Sequence, residues 1–169
     1  MEQLVIHGGH PLRGHVKIGG AKNAVLPIIA AALLGTNGKS VLDEVPALED
    51  VYTITAVLRT LGVTADYTAS EHRLVIDASH IATVAAPYDL VRKMRASFLI
   101  MGPLLAREGH AEISLPGGCA IGTRPIDLHL KGFEALGAEI EITQGAIHAR
   151  APHGLKGARI YFDFPSVGA

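Results

Sequence analysis

The stretch Val57-Leu58-Arg59-Thr60-Leu61-Gly62-Val63-Thr64-Ala65-Asp66 returns in altered form as Phe133-Glu134-Ala135-Leu136-Gly137-Ala138-Glu139-Ile140-Glu141, with Gly62 and Gly137 75 residues apart. In each copy, apolar residues recur at helical spacing up to the glycine: Val51, Ile54, Leu58 and Leu61 in the first, Ile126, Leu130, Phe133 and Leu136 in the second. Glycine accepts the left-handed conformation that ends a helix, so each helix should stop there. Two alternating strands then follow, at 63–67 and 73–77 and again at 139–143 and 146–150. A unit of this kind buries its apolar face against another copy of itself. The repeat therefore predicts an α/β (α+β) chain with its helices clustered inside and its sheets outside.

The remaining elements fit between these units. Residues 3–7 and 15–18 are bounded by glycine turns, which predicts two short strands. The apolar run Val25 to Leu34 predicts a helix with Asn23 as its N-cap, Pro27 in its first turn and Gly35 as its stop. That run is too short to span a bilayer, which needs about 20 apolar residues. A brief strand is expected at Val41-Leu42, and a long helical region from Asp89 to Arg107 with an interruption at Gly102-Pro103. Strands are expected at 111–115 and 158–163, and the second helix of the repeat from about Pro125.

Charged residues make up 18% of the chain, the net charge is −1, and there is no tryptophan. No basic tract or aromatic-and-basic surface for nucleic acid is visible in such a sequence. The single cysteine permits no internal disulfide and suits a reducing cytoplasm. Nine histidines are present, none paired with another four residues on, so no helical turn offers two imidazoles to a metal. Neither a metal nor a cofactor is expected.

Chemistry is concentrated in Leu115-Pro116-Gly117-Gly118-Cys119-Ala120-Ile121-Gly122-Thr123-Arg124-Pro125-Ile126-Asp127-Leu128-His129. Its glycines let the backbone bend and a ligand approach closely. A lone cysteine is usually a small buried hydrophobe. Here, however, Cys119 lies between Gly-Gly and Arg124, whose guanidinium would favour thiolate and offer a planar fork to phosphate or carboxylate. Lys22, after Gly19-Gly20 and at the start of a predicted helix, is either a solvated residue or part of an anion site. Arg92, Lys93 and Arg95 either form a solvated face or let Arg95 turn inward past its small neighbours Ala96 and Ser97.

Four segments, Ala21-Lys22-Asn23-Ala24, Pro87 to Ser97, Pro116 to His129 and Ser166-Val167-Gly168-Ala169, resemble the UDP-N-acetylglucosamine 1-carboxyvinyltransferases over essentially the whole chain and in order. The resemblance implies an inside-out α/β barrel of the enolpyruvyl transferase type, built from repeated βαβαββ units and incomplete here. Residues 1–20 would be strands belonging to the other lobe, and residues 21–169 about two repeat units of the cysteine-loop lobe. The implied reaction moves the enolpyruvyl group of phosphoenolpyruvate to the 3-hydroxyl of UDP-N-acetylglucosamine and releases phosphate, the first committed step of peptidoglycan synthesis, in the cytoplasm.

By the same resemblance, Cys119 forms a covalent adduct with phosphoenolpyruvate and is alkylated by fosfomycin. Lys22, Arg95 and Arg124 bind phosphoenolpyruvate. Asn23, Arg95, Pro125, Ile126, Asp127, Leu128, Ser166, Val167 and Gly168 bind the sugar nucleotide. The general base and further arginines would lie beyond Ala169, in the second lobe of the same polypeptide. Phe164 stands where many such proteins place a lysine. Two other readings remain at this point: the sister transferase acting on shikimate 3-phosphate, against which the Pro-Gly-Gly-Cys loop argues, and a non-catalytic fragment that binds a nucleotide sugar.

Overall fold

The computed structural model describes residues 3–9, 11, 13–91, 94–115, 126–166 and 169, the side chains of 95–97 excepted. Two units of matching topology make up most of it. The first runs α1 (Lys22–Ala31) with a 3-10 extension (Ala32–Leu34), β1 (Ser40–Leu42), α2 (Glu49–Thr60), β2 (Thr64–Thr68) and β3 (Arg73–Asp77). After β4 (Ala85–Ala86) and α3 (Tyr88–Val91), the second runs from a 3-10 segment (Arg95–Ile100) into α4 (Met101–Glu108), β5 (His110–Ser114), α5 (Asp127–Ala135), β6 (Glu139–Thr143) and β7 (Ala146–Arg150).

The 75-residue repeat is visible in how each middle helix ends. Gly62 has φ +86° and Gly137 φ +95°. Gly62 N–H donates to the Arg59 carbonyl (3.0 Å) and Val63 N–H to Leu58 (3.2 Å). Gly137 N–H donates to Glu134 (2.9 Å) and Ala138 N–H to Phe133 (2.9 Å). This is the paired closure that satisfies the last carbonyls of a helix and turns the chain back on itself. It delivers each chain into an antiparallel hairpin, β2–β3 in the first unit and β6–β7 in the second. The second hairpin turns at Gln144 (φ +51°) and Gly145 (φ +77°), the two left-handed residues of a tight hairpin turn.

The sheets share one order. In the first, β3 lies between β1 and β2; in the second, β7 lies between β5 and β6, with β4 added parallel to β5. Each sheet turns one face to the helices: Leu74 and Ile76 of β3, Ala111 and Ile113 of β5, and Ile147 and Ala149 of β7 are buried. Alternate residues such as Arg73, His110 and Glu112 are exposed. One continuous core joins Ile29 and Leu33 of the first unit to Ile100, Met101, Leu104 and Leu105 of the second. Helices inside and sheets outside is the arrangement found.

Arg107 ties the units together at the end of α4. Its Nη1 donates to the carbonyls of Leu33, Gly35 and Ala78, and its Nη2 to that of Ser79. Nη1 has two hydrogens for three carbonyls, so one is shared. The side chain is only 13% exposed, and Nε lies 3.1 Å from Glu108 Oε1. Carbonyls left open at the exits of α1 and β3 are satisfied by a side chain from the other unit, which a lysine's point charge could not do with the same geometry.

Several elements differ from expectation. The described residues among 3–20 form no strand, and Leu4, Val5, Ile6, Val16 and Ile18 are all exposed. The segment 158–163 forms none either, with Ile160 and Tyr161 exposed. Short apolar runs suggest strands, but a strand also needs a partner edge. Lys17 is ion-paired with Glu44, and at Gly20 the backbone passes so close that a Cβ would overlap the Glu44 carbonyl.

The helix expected from Asp89 to Arg107 is three pieces, and its break is at Met94, which is extended (φ −144°, ψ 118°). Gly102 and Pro103 do not interrupt it, because Pro103 occupies the first turn of α4, where backbone N–H groups have no intrahelical partner. In α1 the N-cap is Ala21, not Asn23, and Pro27 stands in the second turn, unable to donate to the Asn23 carbonyl.

Alanine at Gly137 meets nothing within 4 Å, whereas a Cβ at Gly62 would be 2.6 Å from that of Ala82. Gly137→Ala should therefore cost about 1 kcal/mol for its left-handed backbone alone. Gly62→Ala should cost about 3 kcal/mol, since overlap adds to the same strain. Urea unfolding of the two variants measures the difference, and equal losses would contradict it.

Candidate active site

Lys22 is the first residue of α1, and the Ala21 carbonyl before it accepts N–H bonds from Ala24 (3.1 Å) and Val25 (3.0 Å). Its ammonium is ion-paired with Asp50 in the first turn of α2, the lysine side chain 51% exposed and the carboxylate 25%. Lys22 is thus directed rather than freely solvated. Its charge sits where two helix N-termini approach, and both dipoles there favour an anion. For Asp50 the sequence offers no signal beyond an acid in a helix's first turn. Asn23 is exposed beside Lys22.

The 3-10 segment opened by Arg95 packs on α1 and is anchored by the buried Met94 and Phe98. The Arg95 side chain lies outside the described residues, as do Cys119, Arg124 and Pro125. Both ends of the cysteine segment are described. On one side Leu115 N–H donates to the Gly145 carbonyl at 2.8 Å, fastening the end of β5 to the β6–β7 turn. On the other, the Ile126 carbonyl accepts from His129 (2.9 Å) and Leu130 (3.0 Å) and starts α5. Ile126 is 8% exposed and Leu128 6%, whereas Asp127 between them is exposed. The structure thus uses Ile126 and Leu128 largely as packing and leaves the Asp127 carboxylate accessible at the helix N-terminus.

The tail returns to α5. Lys131 Nζ and Asp163 Oδ2 are 2.8 Å apart, and the lysine's hydrogen bond and charge hold the Asp163 carboxyl below its ordinary range. Ser166 Oγ accepts the Ala169 N–H at 3.2 Å. Val167 and Gly168 lie outside the described residues, and Phe164 is half exposed. Among the described residues no group of three or more His, Cys, Asp or Glu is placed to hold a metal ion. No helix among them is long and apolar enough to cross a membrane.

The family model for EPSP synthase (3-phosphoshikimate 1-carboxyvinyltransferase) matches residues 6–169. The chain belongs to the EPSP synthase family. Within that family it is 57% identical over all 169 residues to UDP-N-acetylglucosamine 1-carboxyvinyltransferase 1 of Halalkalibacterium halodurans, and covers 38% of that protein. It is 58% identical over the same length to the protein of the same name from Staphylococcus aureus strain N315, covering 40% of it. The chain therefore spans about two fifths of the length of these curated relatives.

Two solved structures show the same fold. The enolpyruvyl transferase NikO from Streptomyces tendae superposes with a TM-score of 0.71 over 89% of this chain and 32% of its own, at 24% identity. EPSP synthase from Acinetobacter baumannii gives 0.64 over 91% of this chain and 35% of its own, at 18% identity.

The Lys22–Asp50 pair is partly exposed, and pairs of that kind contribute about 1 kcal/mol or less. Asp50→Asn should lower unfolding stability by no more than about that amount, because the pair directs Lys22 rather than holding the fold. A calorimetric melt checks this, and a loss above about 2 kcal/mol would instead make the pair a structural tie.

Proposed function

We propose that the chain is the cysteine-loop portion of an enolpyruvyl transferase that joins phosphoenolpyruvate to the 3-hydroxyl of UDP-N-acetylglucosamine. The observation that carries this reading is the 57–58% identity, along the whole chain, to relatives bearing that name. The family model is named for the shikimate 3-phosphate enzyme, but the Acinetobacter EPSP synthase is only 18% identical. The nucleotide-sugar acceptor is accordingly the favoured one.

The chemistry suits the residues. Protonating C3 of phosphoenolpyruvate leaves an oxocarbenium-like C2, which the sugar hydroxyl attacks. Loss of phosphate and of one methyl proton then restores the double bond. Cys119 supplies the thiol for the proton and the adduct, and a donor of near-neutral pKa is what such a transfer needs. Lys22, Arg95 and Arg124 balance the phosphate and carboxylate. Asn23, Asp127 and Ser166, with Pro125, Ile126, Leu128, Val167 and Gly168, form the sugar-nucleotide side. The base that takes the hydroxyl proton belongs to the remainder of the parent polypeptide, so the 169 residues alone hold an incomplete site. The phosphorylated substrates support a cytoplasmic reaction on this reading.

The remainder of the polypeptide is also the partner inferred for the exposed apolar surface. Residues 1–20 would complete strands in its other lobe, while residues 21–169 form about two units of the cysteine-loop lobe. Pro27, Ala31, Leu34, Leu99, Pro103 and Ala106 line an open groove of about 280 Å³ between the two units. Leu34 is 52% exposed there, an apolar surface that a third unit would cover.

In the full-length enzyme, Cys119→Ala should abolish covalent labelling by fosfomycin, read by intact mass; persistent labelling at an unchanged rate would refute the cysteine's role. Arg124→Ala should lower kcat/KM by a factor of about 10² to 10³, the range for removing one preorganised donor. Arg92→Ala should stay within about threefold, and equal effects of the two would contradict the anion-site reading.

A further inference from the structure

One aromatic contact joins two elements that flank the candidate site. Phe98, 3% exposed, stands in the 3-10 segment that Arg95 opens. His129, in the first turn of α5, meets it edge to face, with ring centroids 5.4 Å apart and planes at 87°. The His129 Nδ1 is withdrawn from solvent. Four residues further along both elements a second contact repeats the first: a Cβ at Gly102 would stand 3.6 Å from the Phe133 ring. Residues four apart share a helix face. Thus α5 docks along the 3-10–α4 run by two rungs, His129 on Phe98 and Phe133 over Gly102.

The two rungs differ in kind. Phe133 fills the space left by a residue without a side chain, which sets a distance. An edge-to-face pair sets an angle as well, because the positive ring edge points at the negative face. That angle matters two residues earlier, at Asp127, the exposed carboxylate at the N-terminus of α5. A turn of α5 about its Phe133 contact would carry Asp127 with it, along with the buried Ile126 and Leu128 on either side.

We propose that Phe98 and His129 are a positioning pair that holds Asp127 at the angle needed to receive the nucleotide part of the substrate. The proposal rests on the transferase reading above. It assigns His129 no contact with substrate: the pair acts through Asp127. An aromatic ring of similar shape at 129 therefore keeps the function, and an aliphatic side chain of similar volume loses it.

The test uses the full-length enzyme with UDP-N-acetylglucosamine and phosphoenolpyruvate varied separately. His129→Leu and Phe98→Leu should each raise KM for the sugar nucleotide about tenfold while kcat and KM for phosphoenolpyruvate stay within about threefold. The double variant should be no worse than either single one, as for residues acting as a unit. His129→Phe should restore KM to within about threefold of wild type, with an unchanged pH profile. Unchanged KM in His129→Leu, additive losses, or a His129→Phe as impaired as His129→Leu would each overturn the proposal. A wild-type enzyme inactive with UDP-N-acetylglucosamine would overturn the transferase reading, and the pair's proposed role with it.

Discussion

The fold depends on a single shared burial: α1 with its 3-10 extension against the 3-10 segment and α4 of the other unit. The buried residues of the two units form one continuous core. Ile29, Leu33, Ile100, Met101, Leu104 and Leu105 are fully buried where the two helical layers meet. Arg107 caps that contact, spending its guanidinium on carbonyls from the opposite unit. A repeat whose copies complete each other in this way holds its sheets outside and leaves its helix N-termini and connecting segments free to carry chemistry.

The candidate site follows from that division of labour. Lys22 and Asp50 begin α1 and α2, Arg95 begins the 3-10 segment, and Asp127 begins α5. Each is the first or second residue of its element. Helix N-termini suit phosphate and carboxylate ligands, so the fold supplies part of the electrostatics before any side chain is chosen. Asp50 and Asp127 are anions at such ends, which orients them by the same dipoles that would attract substrate.

Much of this was legible in the sequence because it is local. Gly62 and Gly137 marked helix ends since few other residues take a left-handed backbone without strain, and the spacing of Val51, Ile54 and Leu58 named the buried face. The break at Met94 was not legible, because nothing between Asp89 and Gly102 is a helix breaker; the extended backbone there is a tertiary outcome. Gly102-Pro103 misled because a proline is harmless in a first turn. The Lys22–Asp50 pair and the Phe98–His129 contact join residues 28 and 31 positions apart, beyond the reach of periodicity. The apolar stretches at 3–7, 15–18 and 158–163 read as strands for the same reason in reverse: an apolar run is a local property, a partner edge is not.

The central claim is that this chain belongs to an enzyme whose acceptor is a nucleotide sugar. It is tested most directly by phosphate release from phosphoenolpyruvate in the full-length protein, measured with UDP-N-acetylglucosamine and, separately, with shikimate 3-phosphate. Release that requires UDP-N-acetylglucosamine, with the enolpyruvyl ether found at the 3-oxygen, is the predicted result. Release that requires shikimate 3-phosphate, or none with either acceptor, would contradict it.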